Sequence, residues 1–195
     1  MDKKQLMDEI VMDIAGCKNC PLHKGRTNTV PGEGNINNRL MFVGEGPGAD
    51  EDAQGRPFVG RSGKLLGKII ESVGLKREDL YITNIVKCRP PENRNPKEEE
   101  MEACNSYLEA QIAVIKPRII VTVGLVPTKW ILRDKIENIG ITKIRGQFYD
   151  WNGIKVFPIF HPSYLLRNPS LEEGKPKWIT WQDMCKIKEE YEKVI

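Results

Sequence analysis

The sequence predicts an α/β fold, a three-layer α/β/α sandwich with a central, mostly parallel four-stranded sheet. Short apolar runs of strand length alternate along the chain with segments that have helical periodicity, which is typical of strands joined by covering helices. The 195 residues contain no internal repeat, low-complexity tract or linker. Residues 1–195 are therefore expected to form a single domain with a substantial core.

Strands are predicted where apolar and β-branched residues run together without polar interruption. Three buried strands are expected over residues 39–43, 80–86 and 118–124. Two shorter strands over residues 147–151 and 154–159 flank Asn152-Gly153, a dipeptide that favours a tight hairpin turn.

Helices are predicted where apolar residues recur every three or four positions. Helix 1 ends before Cys17, and a second helix contains the apolar positions of residues 65–73 and ends at Gly74. The remaining helices are predicted over residues 97–115, 126–132 and 181–194. Because parallel sheets bind ligands beyond the carboxyl ends of their strands, we expect the segments that follow the strands to form the functional site.

Composition limits the class of protein. The net charge of +3 permits a polyanionic partner without requiring one. The sequence has no apolar run of transmembrane length and its first residues lack the apolar core of a signal peptide, so no membrane partner is expected. A cytoplasmic location follows, and there cysteines stay reduced.

Four of the five cysteines form a pattern suited to ligands. Cys17 and Cys20 form a Cys-x-x-Cys pair, and Cys88 and Cys104 follow far downstream. Four thiolates from such segments can hold either zinc or a [4Fe–4S] cluster, and the spacing does not choose between them. Cys185 lies in the predicted C-terminal helix and is expected to be a small buried apolar residue.

Residues 44–63 form a glycine-rich segment that follows the first predicted strand. It lacks the Gly-Lys-Ser/Thr end of a phosphate-binding P-loop. Its glycines, two acids and Phe58 suit a pocket for a flat polar ligand, although a structural turn with solvated acids is equally compatible with the pattern. Asn84 ends the second predicted strand and His161 follows the last one, so both can converge on this loop.

Three segments together resemble the motifs of family 4 uracil-DNA glycosylases. These segments are GEGPGADEDAQGRPFVG (44–60), TNIVKCRPPENRNP (83–96) and FHPSYLLR (160–167). The resemblance runs through nearly the whole chain in the family's order. It implies a monofunctional, base-flipping enzyme that hydrolyses the N-glycosidic bond of uracil in DNA and leaves an abasic site, as the first step of base-excision repair.

The resemblance also implies a cofactor and a partner. The four cysteines match the family's ligands for one structural [4Fe–4S] cluster, and the expected partner of a monomeric enzyme is uracil-containing DNA. The alternative from another class is a non-enzymatic Fe–S protein that binds nucleic acid or transfers electrons.

The implied catalytic residues are Glu45 and His161. His161 would stabilise the negative charge on the departing base, and Glu45 would position water or stabilise the sugar cation. Related glycosylases have an aspartate where Gly46 stands here, so the identity of any general base stays open.

The other implied contacts surround the base and the DNA strand. Asn84 would read the N3–H and O4 edge of uracil, and Phe58 would stack on the ring. Glu51 would lie beside C5 and exclude the thymine methyl group. The predicted uracil-binding residues are Gly46, Gly48, Glu51, Phe58, Asn84 and His161, and the predicted DNA-binding residues are Ser163, Arg167 and Leu165, the last as a wedge.

Overall fold

A computed structural model describes residues 2–133, 135–136 and 139–194. Within these residues, six strands form one sheet in the order β1-β3-β2-β4-β6-β5. The strands are β1 (Glu33–Gly34), β2 (Leu40–Gly44), β3 (Tyr81–Asn84), β4 (Ile119–Val123), β5 (Tyr149–Trp151) and β6 (Ile154–Ile159). The four inner strands run parallel, and β1 and β5 pair antiparallel at the two edges.

The predicted fold class is confirmed, with a sheet of six strands in place of four. The difference lies at the edges, because the hairpin strand β5 joins the same sheet through β6. The other edge strand, β1, has two residues, which is too short to produce an alternating pattern in the sequence.

Within the described residues, eight α-helices accompany the sheet. They are α1 (Lys3–Gly16), α2 (Ala49–Gln54), α3 (Arg61–Glu71), α4 (Glu98–Ile115), α5 (Leu125–Ile131), α6 (Ile141–Ile144), α7 (Pro162–Arg167) and α8 (Pro176–Glu192). The predictions for α1, α3, α4 and α5 are confirmed to within a few residues. The last helix starts five residues earlier than predicted, with Pro176 in the first turn, where a missing N–H costs no hydrogen bond.

Alternate residues of each inner strand face opposite layers. Along β2, Leu40 and Phe42 pack with apolar residues of α3 and α8. Met41 and Val43 face the other way and pack with residues of α1, α4 and α5. Both faces of the sheet are therefore covered, which explains why the inner strands are continuous apolar runs.

The sheet topology determines where functional side chains can meet. The carboxyl ends of the parallel strands lie at one edge of the sheet, and Gly44 at the end of β2 is paired with Asn84 at the end of β3. The segment that follows β6 begins α7 at His161. In the residues that the structure describes, no helix is long and apolar enough to cross a membrane.

Candidate active site

The three sequence motifs meet in one cleft, here called the central pocket, which has a volume of about 560 Å³ and is partly open to solvent. Predicted site residues that line it are Glu45, Gly46, Gly48, Glu51, Phe58, Asn84, His161 and Ser163. A third acid, Asp50, and two arginines, Arg61 and Arg94, also line it. The structure thus brings the proposed catalytic and base-binding residues together at the carboxyl edge of the sheet, as the strand order leads us to expect.

Asn84 presents an unsatisfied polar atom. The residue is 1% exposed, and its Oδ1 has no hydrogen-bond partner in the part of the chain that the structure describes. A Cβ atom on Gly44 would lie 2.3 Å from Oδ1 and 2.4 Å from Cζ of Phe58, so this position requires glycine. A buried acceptor without a partner is costly and uncommon, which indicates that a ligand completes it.

Phe58 is held by a turn that Glu51 organises. The Glu51 carboxylate accepts hydrogen bonds from the backbone N–H groups of Val59 at 2.8 Å, Gly60 at 2.7 Å and Gly48 at 3.2 Å. Phe58 itself has a φ of +51°, a conformation that is strained for a residue with a side chain. These bonds join the two ends of the motif and support the strained turn that places the ring in the central pocket.

His161 has an assignable tautomer. Its Nδ1 accepts from the backbone N–H of Ser163 at 3.1 Å and lies 2.7 Å from the Ser163 hydroxyl. Because the backbone N–H can only donate, Nδ1 is the bare nitrogen and Nε2 carries the ring hydrogen. Burial, aided by the charge of Arg167 and opposed by Glu51, lowers the pKa of His161 to about 4. The ring is therefore a neutral Nε2–H donor near pH 7.

Glu45 lies directly after β2, and burial raises the pKa of its carboxyl group. Its backbone carbonyl accepts from the N–H of Val86 at 3.2 Å, which ties the glycine-rich segment to the end of β3. A Cβ atom at the next residue, Gly46, would lie 2.7 Å from Cγ2 of Val86. This close contact explains in physical terms why no aspartate stands at that position.

The candidate DNA contacts on α7 separate into exposed and buried residues. Arg167 is exposed, and Ser163 lies at the pocket wall. Leu165 is 0% exposed, in a helix that packs against α3. This burial argues against Leu165 as the wedge, because its side chain would have to leave the core to enter DNA. Exposed large apolar side chains in α7 and in the segment between α7 and α8 are Tyr164 and Leu171.

The four predicted ligand cysteines line a second space, here called the cysteine cavity. It has a volume of about 10 Å³, and the residues that line it include Cys17, Cys20, Cys88 and Cys104. Three N–H groups lie close to the sulfurs: Arg26 Nη1 is 3.2 Å from Cys88 Sγ, the Lys87 N–H is 3.4 Å from Cys104 Sγ, and the Asn19 N–H is 3.5 Å from Cys17 Sγ. Cys185 is half-buried and packs on the opposite face of the sheet.

Two of the four thiols in this cavity, Cys88 and Cys104, are buried, and Cys17 and Cys20 are half-buried. Burial raises the pKa of Cys20 and Cys88, and it raises the pKa of Cys104 to about 11. Among the described residues, no group of three or more His, Cys, Asp or Glu side chains could hold a metal ion. Four cysteines with N–H donors nevertheless match the donor set of an iron–sulfur cluster, in which each thiolate binds a different iron atom.

Sequence reasoning missed part of the pocket wall. Asn93, Arg94 and Asn95 line the pocket, and both Glu92 and Asn93 have positive φ values of 56° and 54°. The sequence predicted a loop here from its prolines. A single sequence gives no signal for two consecutive left-handed residues at this place. Asparagine is tolerated in that conformation, but glutamate does not favour it, so the pair is not expected here.

Comparison with known proteins agrees with this site. The sequence model described as the uracil DNA glycosylase superfamily matches residues 31–185. A type-4 uracil-DNA glycosylase of Thermotoga maritima is 51% identical over 87% of this chain and 88% of its own length. A type-4 uracil-DNA glycosylase of Sulfurisphaera tokodaii is 48% identical over 94% of this chain and 84% of its own length.

A more distant relative marks the breadth of the similarity. A type-5 uracil-DNA glycosylase of Pyrobaculum aerophilum is 29% identical over 81% of this chain and 83% of its own length. The fold is an α/β sandwich whose pocket unites three motifs at one sheet edge. The chain belongs to the uracil DNA glycosylase superfamily.

Proposed function

We propose that this protein is a monofunctional glycosylase that removes uracil from DNA, leaves an abasic site and so begins base-excision repair. The observation that carries the proposal is the buried, unpartnered Oδ1 of Asn84, next to the Phe58 ring and in the same pocket as the neutral His161. A flat base that offers an N–H group to Asn84 and a ring face to Phe58 would satisfy both.

Recognition of uracil follows from donor and acceptor positions. The Asn84 amide would accept from N3–H and donate to O4, and cytosine presents the opposite pattern at this edge. Phe58 would stack on the ring. The three backbone hydrogen bonds of Glu51 hold this acid as a fixed wall, which exclusion of the thymine methyl group beside C5 requires. Since the N–H of Gly48 donates to Glu51, Gly46 is the better backbone donor for O2.

The proposed reaction breaks the bond between N1 of the base and C1′ of the sugar. The bonding electrons leave with uracil, negative charge builds on O2, and the sugar becomes cationic until water adds to C1′. His161 would donate its Nε2–H to O2 as that charge develops. The Glu45 carboxylate would stabilise the sugar cation or orient the water, and the proton that the water loses would pass to solvent.

Contacts to DNA complete the proposal. The target nucleotide must leave the helix for its base to enter the central pocket. Ser163 at the pocket wall and the exposed Arg167 are the candidate contacts to flanking phosphates.

We propose that Cys17, Cys20, Cys88 and Cys104 hold one structural [4Fe–4S] cluster. When bound, the cluster would cross-link the segment after α1, the segment after β3 and α4, because its four ligands come from these three parts of the chain. The hydrolysis itself uses no electron transfer. The single domain over residues 1–195, the monomeric state and the cytoplasmic location stay predictions.

A base-release assay tests the function. Purified protein is incubated with DNA strands that differ only in one uracil, thymine or cytosine, and abasic sites are revealed by alkaline cleavage. Cleavage is expected at uracil alone, and Asn84→Ala should abolish most of it. Binding without cleavage of any strand would favour the alternative, a non-enzymatic Fe–S protein that binds nucleic acid.

A further inference from the structure

Lys87 is a lysine in the interior of the protein. Its side chain is 1% exposed, and Nζ donates to Thr83 Oγ1 at 2.7 Å, to the backbone carbonyl of Asn84 at 2.6 Å and to Gln111 Oε1 at 2.8 Å. Burial lowers the pKa of Lys87 to about 7, but its three acceptors match the three N–H bonds of an ammonium group and not the two of a neutral amine. Among the described residues, Lys87 forms no ion pair with a carboxylate.

The acceptors of Lys87 belong to a rigid polar network. Gln111 on α4 donates through Nε2 to the carbonyl of Pro31 at 2.8 Å and to the Tyr81 hydroxyl at 3.1 Å. Thr83 donates its hydroxyl hydrogen to the same Pro31 carbonyl at 2.7 Å. The ammonium is thus fixed by two neighbouring strand positions and one helix, and it has little freedom to move.

Of the three acceptors of Lys87, Asn84 is the one that lines the central pocket. The peptide that follows Asn84 is held at both sides, because its carbonyl accepts from Lys87 and its N–H, on Ile85, donates to the Gly44 carbonyl at 2.9 Å. The Oδ1 atom of Asn84 has no partner of its own among the described residues. The direction in which the amide points therefore depends on how firmly its backbone is held.

An apolar side chain would fill this site without burying a positive charge. Burying an ammonium group without an anion costs free energy that neutral acceptors offset only in part. Unlike an apolar side chain such as methionine, the ammonium donates a strong, directed hydrogen bond to the Asn84 carbonyl.

We propose that Lys87 is a positioning residue for base recognition: its ammonium holds the Asn84 peptide so that the side-chain amide meets the N3–H and O4 edge of uracil. This inference rests on the proposed function. Lys87 also donates its backbone N–H to Cys104 Sγ, so the same residue joins the base-reading strand to the cysteine cavity.

A double-mutant cycle tests the proposal. Single-turnover rates of uracil release are measured for the wild type, Lys87→Met, Asn84→Ala and the double variant. Lys87→Met alone should lower the rate roughly 10- to 100-fold, as a small misplacement of a binding group does. In the Asn84→Ala background the same change should have almost no further effect, because Lys87 acts through Asn84.

The control is Tyr81→Phe, which removes a hydroxyl from the far end of the network and leaves all three contacts of Lys87 in place. It should leave the rate within about twofold of the wild type. If Lys87→Met does not fold, Thr83→Val enters the same cycle, since it removes one acceptor of the ammonium without changing shape.

The outcomes separate the two proposals. One result is that the Lys87 or Thr83 substitution lowers the rate of uracil release by the same factor in the wild-type and Asn84→Ala backgrounds. That result would assign Lys87 to general stability and overturn the positioning role. Loss of the Lys87 effect in the Asn84→Ala background supports it. Absence of uracil release by the wild-type protein would instead refute the proposed function.

Discussion

Replacing Asn84 by leucine should separate activity from stability. Leucine has nearly the same shape as asparagine, so the close contacts with Gly44 and Phe58 can be preserved while both polar atoms are removed. The Oδ1 atom is buried without a partner in the free protein, and a buried unsatisfied group costs about 1–3 kcal/mol. Asn84→Leu should therefore leave the free energy of unfolding unchanged or raise it by up to about 2 kcal/mol.

The effect on catalysis should be large and opposite. Two hydrogen bonds to the base are lost, and the N3–H and O4 groups of uracil enter the pocket unpaired, at about 1–3 kcal/mol each. A combined loss of about 3–5 kcal/mol corresponds to a rate reduction on the order of 10²–10⁴. Denaturant unfolding gives the first quantity, and single-turnover uracil release with excess enzyme gives the second.

Asn105 provides the matched control. This half-buried asparagine lies outside the central pocket, and its amide is satisfied, since Oδ1 accepts from Trp130 Nε1 at 2.8 Å and Nδ2 donates to Glu109 at 2.7 Å. Asn105→Leu should lower stability and leave the rate of uracil release unchanged. If Asn84→Leu instead destabilises the protein and releases uracil at the wild-type rate, the assignment of Asn84 to base recognition is wrong.

The remaining predictions concern the other groups of the two sites. His161→Ala should slow chemistry by on the order of 10²–10³, about 3–4 kcal/mol, with little change in DNA affinity by fluorescence anisotropy. Because His161 loses its proton as pH rises through about 4, the rate of uracil release by the wild type should show no inflection near pH 6.5. An inflection there that is absent in His161→Gln would contradict the neutral ring. Glu51→Ala should weaken uracil release as well as thymine exclusion, since it frees three backbone N–H groups that hold Phe58; unchanged rates on both bases would refute this role. Cys88→Ala should lose iron in colorimetric assays of anaerobically purified protein whereas Cys185→Ala keeps it, and stoichiometric zinc without iron would exclude the cluster.

The inner sheet and the placement of the pocket residues could be predicted from the sequence. The inner strands are buried on both faces, so their apolar runs are unambiguous, and residues that end or follow parallel strands must meet at one edge. This reasoning predicts that Asn84 and His161 lie together, and the structure places both at the wall of the central pocket. Three helices, α2, α6 and α7, were not predicted, because helices of four to six residues are too short for periodicity to appear.

Contacts between distant residues could not be predicted from the sequence. The three bonds of Glu51 and the network around Lys87 depend on how loops and layers pack, and no spacing in a single sequence encodes them. The prediction that Leu165 acts as a wedge also took no account of how helices pack. Its position in the motif indicates a wedge, while the packing of α7 on α3 buries it.

The distribution of charge around the central pocket predicts that salt affects DNA binding and the chemical step differently. Glu45 and Glu51 line the central pocket and are half-buried, while Arg61 at the pocket wall and Arg167 beyond it are exposed to solvent. Added electrolyte competes with the phosphates for the arginines, so KM should rise steeply with ionic strength. The neutral base forms no such contact, so kcat should stay nearly constant in the same titration.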